Sequence, residues 1–160
     1  MRTLKVKNVG PIKEAFLDLK KVNILIGPQS IGKSTLAKLV CNATWIEKEI
    51  CLNMSADKFK DIAYFEENLI VYHKMEGFLT EESYIEFHSD VLSFTYSKRE
   101  FTLHWKDLGK YNRIKTLYIP AERNIVAVIP NWFEVTLERN NTRSYLAHWE
   151  SVRKFFTKND

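Results

Sequence analysis

The sequence predicts an α/β fold, and three observations carry that prediction. Alternating polar and apolar residues open the chain, as in β-strands with one buried face. A short apolar run then ends in a glycine-rich loop, and apolar residues at helical spacing begin directly behind it. Later, two alternating runs flank a tight turn, the pattern of an antiparallel hairpin. With 160 residues the chain suits a single domain, for which about 100–200 residues is usual. Aromatics make up 13% of the sequence, which separates it from disordered chains, since these are poor in aromatic residues.

Leu4 and Val6 alternate with Lys5 and Lys7, so the first strand lies here, and Asn8-Val9-Gly10-Pro11 is a turn signal. Ala15 to Leu19 alternates again. Val22-Asn23-Ile24-Leu25-Ile26 is predicted to be a buried strand. Leu36, Leu39, Val40, Ala43 and Ile46 then predict a helix from about Lys33 past Trp45. A second helix is expected over Ala56 to Met75, with Ser55 as N-cap and Gly77 past its end. Phe59, Ile62, Phe65, Leu69 and Tyr72 are its core candidates. Thr80 to Asp90 fits either a short helix or a strand. Leu92, Phe94 and Tyr96, then Phe101, Leu103 and Trp105, form the hairpin around a three-residue turn, Lys98-Arg99-Glu100. Ile114 to Ile119 is a further strand candidate, stopped by Pro120, and Arg143 to Phe156 is amphipathic along Leu146, Trp149, Val152 and Phe156.

The chemistry sits in Gly27-Pro28-Gln29-Ser30-Ile31-Gly32-Lys33-Ser34, a full match to G-x-x-x-x-G-K-[ST], followed by Thr35. Gly27 and Gly32 allow a tight turn with no Cβ between backbone and phosphate. Successive backbone N–H groups then converge into an anion nest. The helix starting near Lys33 adds the positive end of its dipole. Lys33 supplies a point charge for the β- and γ-phosphates, and the Ser34 hydroxyl is a ligand for Mg²⁺. Such a match arises by chance in roughly one chain in two hundred. Its position between an apolar run and an amphipathic helix narrows that further. The motif implies that the bound cofactors are ATP and Mg²⁺.

The order of strand, Gly-Pro turn, strand, apolar run, loop, helix, helix and hairpin resembles the N-terminal lobe of ABC-type ATPase heads. The similarity is to the branch of AAA-annotated bacterial ATPases that includes the OLD, RecF-like and chromosome-maintenance proteins. Leu4 to Ile12, Val22 to Gly27 and Leu117 to Asn124 carry it beside the loop. The resemblance implies a P-loop NTPase fold with a mixed sheet, an antiparallel hairpin and flanking helices. It also implies that Thr35 touches the α-phosphate. A Q-loop would fall at Ala121 to Asn124, where no glutamine stands, so Glu122 or Arg123 would have to replace its polar side chain. Glu122 is thus a second candidate Mg²⁺ ligand, although a charged pair capping a helix explains these residues equally well.

No run after the loop has four apolar residues followed by Asp-Glu, and no L-S-G-G-Q signature occurs. The expectation is a single ATPase-like domain over residues 1–160, incomplete at its C-terminal end, that binds ATP and hydrolyses little of it alone. Whether the chain is an enzyme is therefore left open. A non-catalytic nucleotide-binding regulatory module is the alternative, and a small metabolite or nucleotide kinase a weaker one, because two strands precede the loop. The resemblance suggests DNA repair or phage defence. Expected partners are the nucleotide and either a second copy or a missing C-terminal half, through exposed apolar edges. A net charge of +4 and lysines 5, 7, 13, 20 and 21 permit contact with nucleic acid without demanding it. Cys41 and Cys51 have no metal-type spacing and are expected to be buried free thiols, and the four histidines are scattered. With no signal-peptide pattern at the start and no run of about 18 apolar residues, a cytoplasmic chain without a membrane span is expected.

Overall fold

The computed structural model describes residues 1–106, 116–121 and 140–157. They form an α/β arrangement of one five-stranded antiparallel sheet with helices packed against it. β1 (Arg2–Val9) and β2 (Ile12–Leu19) make a hairpin, Val9 pairing with Ile12 across Gly10 and Pro11. β3 (Tyr84–His88) takes the other side of β1, and β4 (Leu92–Ser97) and β5 (Glu100–Trp105) continue outward. The order is β2-β1-β3-β4-β5. Thr80 to Asp90 thus resolves as a strand. Alternation then sorts the faces: Leu4, Val6, Ile85, Phe87, Phe94 and Tyr96 are buried on one side.

The expected mixed sheet is not found, because every pairing among the described residues is antiparallel. Three of the four pairings join strands with connections too short for the crossover that a parallel pair requires. The β4–β5 turn is one residue shorter than expected. Lys98 (φ 50°) and Arg99 (φ 56°) make it alone, and Glu100 already pairs with Ser97. Positive φ at both positions is what a two-residue hairpin needs to match strand twist.

A second correction concerns Val22–Ile26, which joins no strand. The segment is extended and open to solvent, with Val22 72%, Ile24 78% and Ile26 91% exposed. The Asn23 side chain explains the departure. Its Oδ1 accepts from the Lys20 N–H at 2.8 Å, and its Nδ2 donates to the Asp18 carbonyl at 3.2 Å. These bonds occupy backbone groups at the end of β2 and turn the chain off the sheet.

Helix α1 (Lys33–Asn53) buries Leu39, Ala43, Ile46 and Ile50 against the sheet, with Leu36 and Val40 packed at the margin. Glu47 is buried on the same helix, and Arg2 of β1 grips it with Nη2 at 2.7 Å and Nε at 3.2 Å. That two-pronged pair ties the start of the chain to the middle of α1. The single helix expected over Ala56–Met75 is broken. A 3₁₀ turn (Asp57–Lys60) precedes α2 (Ile62–Glu67), which continues as a π-helical turn (Asn68–Tyr72). Asp61 causes the break: its backbone is extended, and its Oδ1 caps the Ala63 N–H at 2.9 Å. Ser55 bonds Asp57 instead, its Oγ accepting from the Asp57 N–H at 3.1 Å and donating to Asp57 Oδ2 at 2.9 Å.

Phe59, Phe65 and Leu69 are buried as expected, while Ile62 and Tyr72 are partly so. Phe65 stacks on Phe101 at 4.5 Å between ring centres and meets Phe94 and Tyr96, joining α2 to the hairpin. Helix α3 (Asn141–Thr157) is capped by Asn140, whose Oδ1 accepts from Thr142 and Arg143 at 3.0 and 3.2 Å. It buries Leu146 and leaves Trp149 and Val152 43% and 37% exposed. Residues 116–119 are not in a strand, and the remainder of that candidate lies outside the described residues. Cys41 and Cys51 are half-buried free thiols, less covered than expected. Among the described residues, no helix is long and apolar enough to cross a membrane.

The π-helical turn delivers His73 into the interior, 2% exposed. Burial pushes its pKa down to about 4, and the charge of Lys38 acts in the same direction. The imidazole is therefore neutral when folded, whereas the unfolded chain protonates it near the ordinary value of 6.5. The unfolded state binds more protons between these values, so stability should fall as pH drops through that window. The expected loss attributable to His73 by pH 4.5 is about 2–3 kcal/mol. Urea unfolding at pH 7 and pH 4.5 measures it, because the drop should shrink by that amount in His73→Phe.

Candidate functional site

The Gly27–Thr35 loop is built from its two ends. On the entry side, Asn23 and Leu25 border an open cleft, Leu25 being 37% exposed against 72%, 78% and 91% for Val22, Ile24 and Ile26. On the exit side, α1 begins at Lys33. Gly32 joins them at φ 98°, a conformation that side chains resist. It is also pressed onto the β1–β2 turn, where a Cβ would lie 2.6 Å from Ile12 Cγ1 and 3.3 Å from Pro11 Cγ. The second glycine of the motif therefore seats the loop on the sheet.

Gly27, Pro28, Gln29, Ser30 and Ile31 are exposed, with Ser30 in the left-handed region at φ 62°. Gly32 is buried and Lys33 half-buried. The Lys33 ammonium folds back and donates to the Gly27 carbonyl at 2.8 Å and to the Pro28 carbonyl. The positive charge is thus held at the mouth of the loop. No side chain caps the N-terminus of α1, and its first turn carries no acidic residue. The Leu36 N–H is the first to find a helical acceptor, Gly32 O at 2.9 Å, as the geometry of a helix start requires. The preceding amides have no carbonyl within the helix to receive them, which leaves the end electropositive.

Ser34 and Thr35, adjacent in sequence, part company. Ser34 is exposed, while Thr35 is 6% exposed on the stripe that continues through Leu39, Ala43 and Ile46. One residue is about 100° of helical rotation, which puts the two hydroxyls on different faces. Glu122 and Arg123 lie outside the described residues. Among the described residues, no group of three or more His, Cys, Asp or Glu side chains could hold a metal ion. A magnesium ion at Ser34 would take its other ligands from phosphate and water, as this ion commonly does.

Sequence reading missed the cleft beside the loop. It measures about 470 Å³ and lies between β2, the Val22–Ile26 segment and α1, lined by Leu17, Leu19, Leu25 and Val40 with Lys20 and Lys21 at its rim. The basic character of the N-terminal hairpin is partly neutralised, with Lys7 on Glu14 at 3.0 Å and Lys20 on Asp18 at 2.5 Å. Compared with protein-family models, curated proteins and solved structures, the chain matches none.

Gly32→Ala should be costly for two reasons, the left-handed backbone and the contact with Ile12. A loss of about 2 kcal/mol is expected. Chemical denaturation gives the number, and Gly77→Ala provides the comparison: its φ is 74°, but nothing lies within 4 Å of an added Cβ.

Proposed function

We propose that this chain binds Mg²⁺-ATP through Gly27–Thr35, as the nucleotide-binding portion of an ABC- or OLD-like P-loop ATPase. The observation that carries the reading is the Lys33 ammonium bonded to the Gly27 and Pro28 carbonyls beside an uncapped helix start. A triphosphate entering the loop meets the Lys33 ammonium at its mouth, open backbone amides and a favourable dipole. Lys33 then exchanges two neutral carbonyl acceptors for phosphate oxygens, which make stronger, charge-assisted bonds. Ser34, exposed at the first turn, is suited to the magnesium ion. The buried Thr35 supports a packing role more than the α-phosphate contact that the resemblance implied.

Binding rather than turnover is the proposed activity of these 160 residues. Phosphoryl transfer requires a metal held from both sides and an oriented water, and the motif supplies only the phosphate-binding half of that apparatus. Calorimetry with ATP tests the assignment. Lys33→Ala should lose most triphosphate affinity, and Ser34→Ala should lose chiefly the part that depends on Mg²⁺. Unchanged ATP binding in Lys33→Ala would remove the basis for the reading.

The same proposal includes a protein partner for the Val22–Ile26 segment, a second copy in the isolated chain. A run with three large apolar side chains facing solvent, and with no strand partner among the described residues, is a template for strand pairing. Light scattering over a concentration series should show self-association, reduced when Ile24 and Ile26 are replaced by lysine. A strictly monomeric chain at high concentration contradicts this part of the proposal.

A further inference from the structure

A second, smaller pocket lies away from the loop, on a different stretch of α1. Cys41, Asn42 and Trp45 line it from that helix, and Thr116 and Tyr118 from the described segment at 116–121. Asn68, Tyr72 and His73 complete it from the π-helical turn and its end. Eight to twelve residues of helix separate its lining from Lys33, about 12–18 Å along the axis. Its volume is about 100 Å³.

Three features distinguish this pocket from an ordinary packing gap. His73 Nδ1 and Thr116 Oγ1 are buried and have no hydrogen-bond partner, and His73 is only 2% exposed. Buried polar atoms left unpaired each cost about 1–3 kcal/mol, so two at one pocket need a reason. Asn42, also buried at 4% exposure, brings an amide to the same wall. Finally, the backbone departs from α-helix just where it supplies Tyr72 and His73, and π-helical turns are frequent at functional sites. Trp45, Tyr72 and Tyr118 add aromatic walls beside Cys41 and Asn68, with Tyr118 edge-on to His73 at 6.0 Å between ring centres.

We propose that this pocket is a binding site for a small, uncharged, planar molecule bearing both a hydrogen-bond donor and an acceptor, of azole or simple amide size. Size sets the upper limit, because a cavity of about 150 Å³ holds benzene and a purine needs more. Charge is set by the surroundings. Among the described residues no carboxylate lines the pocket to receive a cation, and the neighbouring Lys38 charge opposes one. The Cys41 thiol, pushed up to about 11 by burial, offers no thiolate for a metal at neutral pH. His73 and Thr116 supply the complementary acceptor and donor, and Trp45, Tyr72 and Tyr118 sandwich a flat ring.

Pyrazole is a suitable probe and thiophene its apolar isostere. The ¹⁵N resonances of the His73 ring, followed in the full chain at pH 7, should shift saturably with pyrazole in the millimolar range. Thiophene should bind at least several-fold more weakly. Thr116→Val, which keeps the shape and removes the hydroxyl, should weaken pyrazole about tenfold, the usual worth of one hydrogen bond. In His73→Phe, pyrazole should no longer move the Trp45 indole N–H resonance. Lys33→Ala, in the distant loop, should leave the titration unchanged. The proposal is overturned by an unsaturable or missing His73 shift, which would mark a pocket that holds water only. Equal affinity for thiophene, or an unaltered titration in Thr116→Val, overturns it as well, and the valine variant decides the matter even if His73→Phe does not fold.

Discussion

Gly32 has to cross the β1–β2 turn with no side chain, and much of the molecule is arranged by that constraint. The 2.6 Å approach to Ile12 that a Cβ would make fixes the height of the loop above the sheet. It thereby fixes where α1 starts, and so which face of the helix meets the strands. Leu39, Ala43, Ile46 and Ile50 then fall on the core in turn, and Glu47 reaches Arg2. A single close contact at the loop thus sets the register of twenty-one helical residues. The glycines usually credited to phosphate approach have, in Gly32, an architectural duty as well.

The sheet and α1 are held together by two different kinds of interaction. Apolar burial is spread over β1, β3, β4 and α1 and is insensitive to small shifts. The Arg2–Glu47 pair is directional and, with Glu47 only 3% exposed, would leave a costly buried charge if either partner were lost. Aromatic stacking does the corresponding work on the other side, where Phe65 locks α2 onto β4 and β5. Just beyond Phe65 the chain passes through the π-helical turn, and the space around His73 opens there.

The loop and the His73 pocket sit at different levels of α1 and have opposite characters. The loop is exposed, cationic and built mainly of backbone. The pocket is smaller and, among the described residues, lined by side chains without formal charge. The Val22–Ile26 segment adds a third kind of surface, apolar and strand-like, with a cleft of about 470 Å³ behind it. These surfaces share one helix and one sheet, so changes in any of them are felt through common packing.

The sequence alone determined the α/β class, the two hairpins, the start of α1 and the glycine–lysine loop pattern, because each rests on local physics. Alternation places Leu4 and Val6 inside, helical spacing places Leu39, Ala43 and Ile46, and the glycine–lysine pattern needs only its own nine residues. Tertiary structure decided what depends on neighbours distant in sequence. Val22–Ile26 reads as a buried strand, yet a strand is buried only where another strand offers hydrogen bonds, and the Asn23 side chain ties the segment to the end of β2 instead. The helix expected over Ala56–Met75 breaks at Asp61 because a capping carboxylate competes with the helical ladder, a contest that periodicity does not register. The pairing of β1 with β3, the seat of Gly32 on Ile12 and the meeting of His73 with Thr116 link residues 20 to 85 positions apart. No pattern within a local window encodes such contacts, because they arise only when the whole chain has packed.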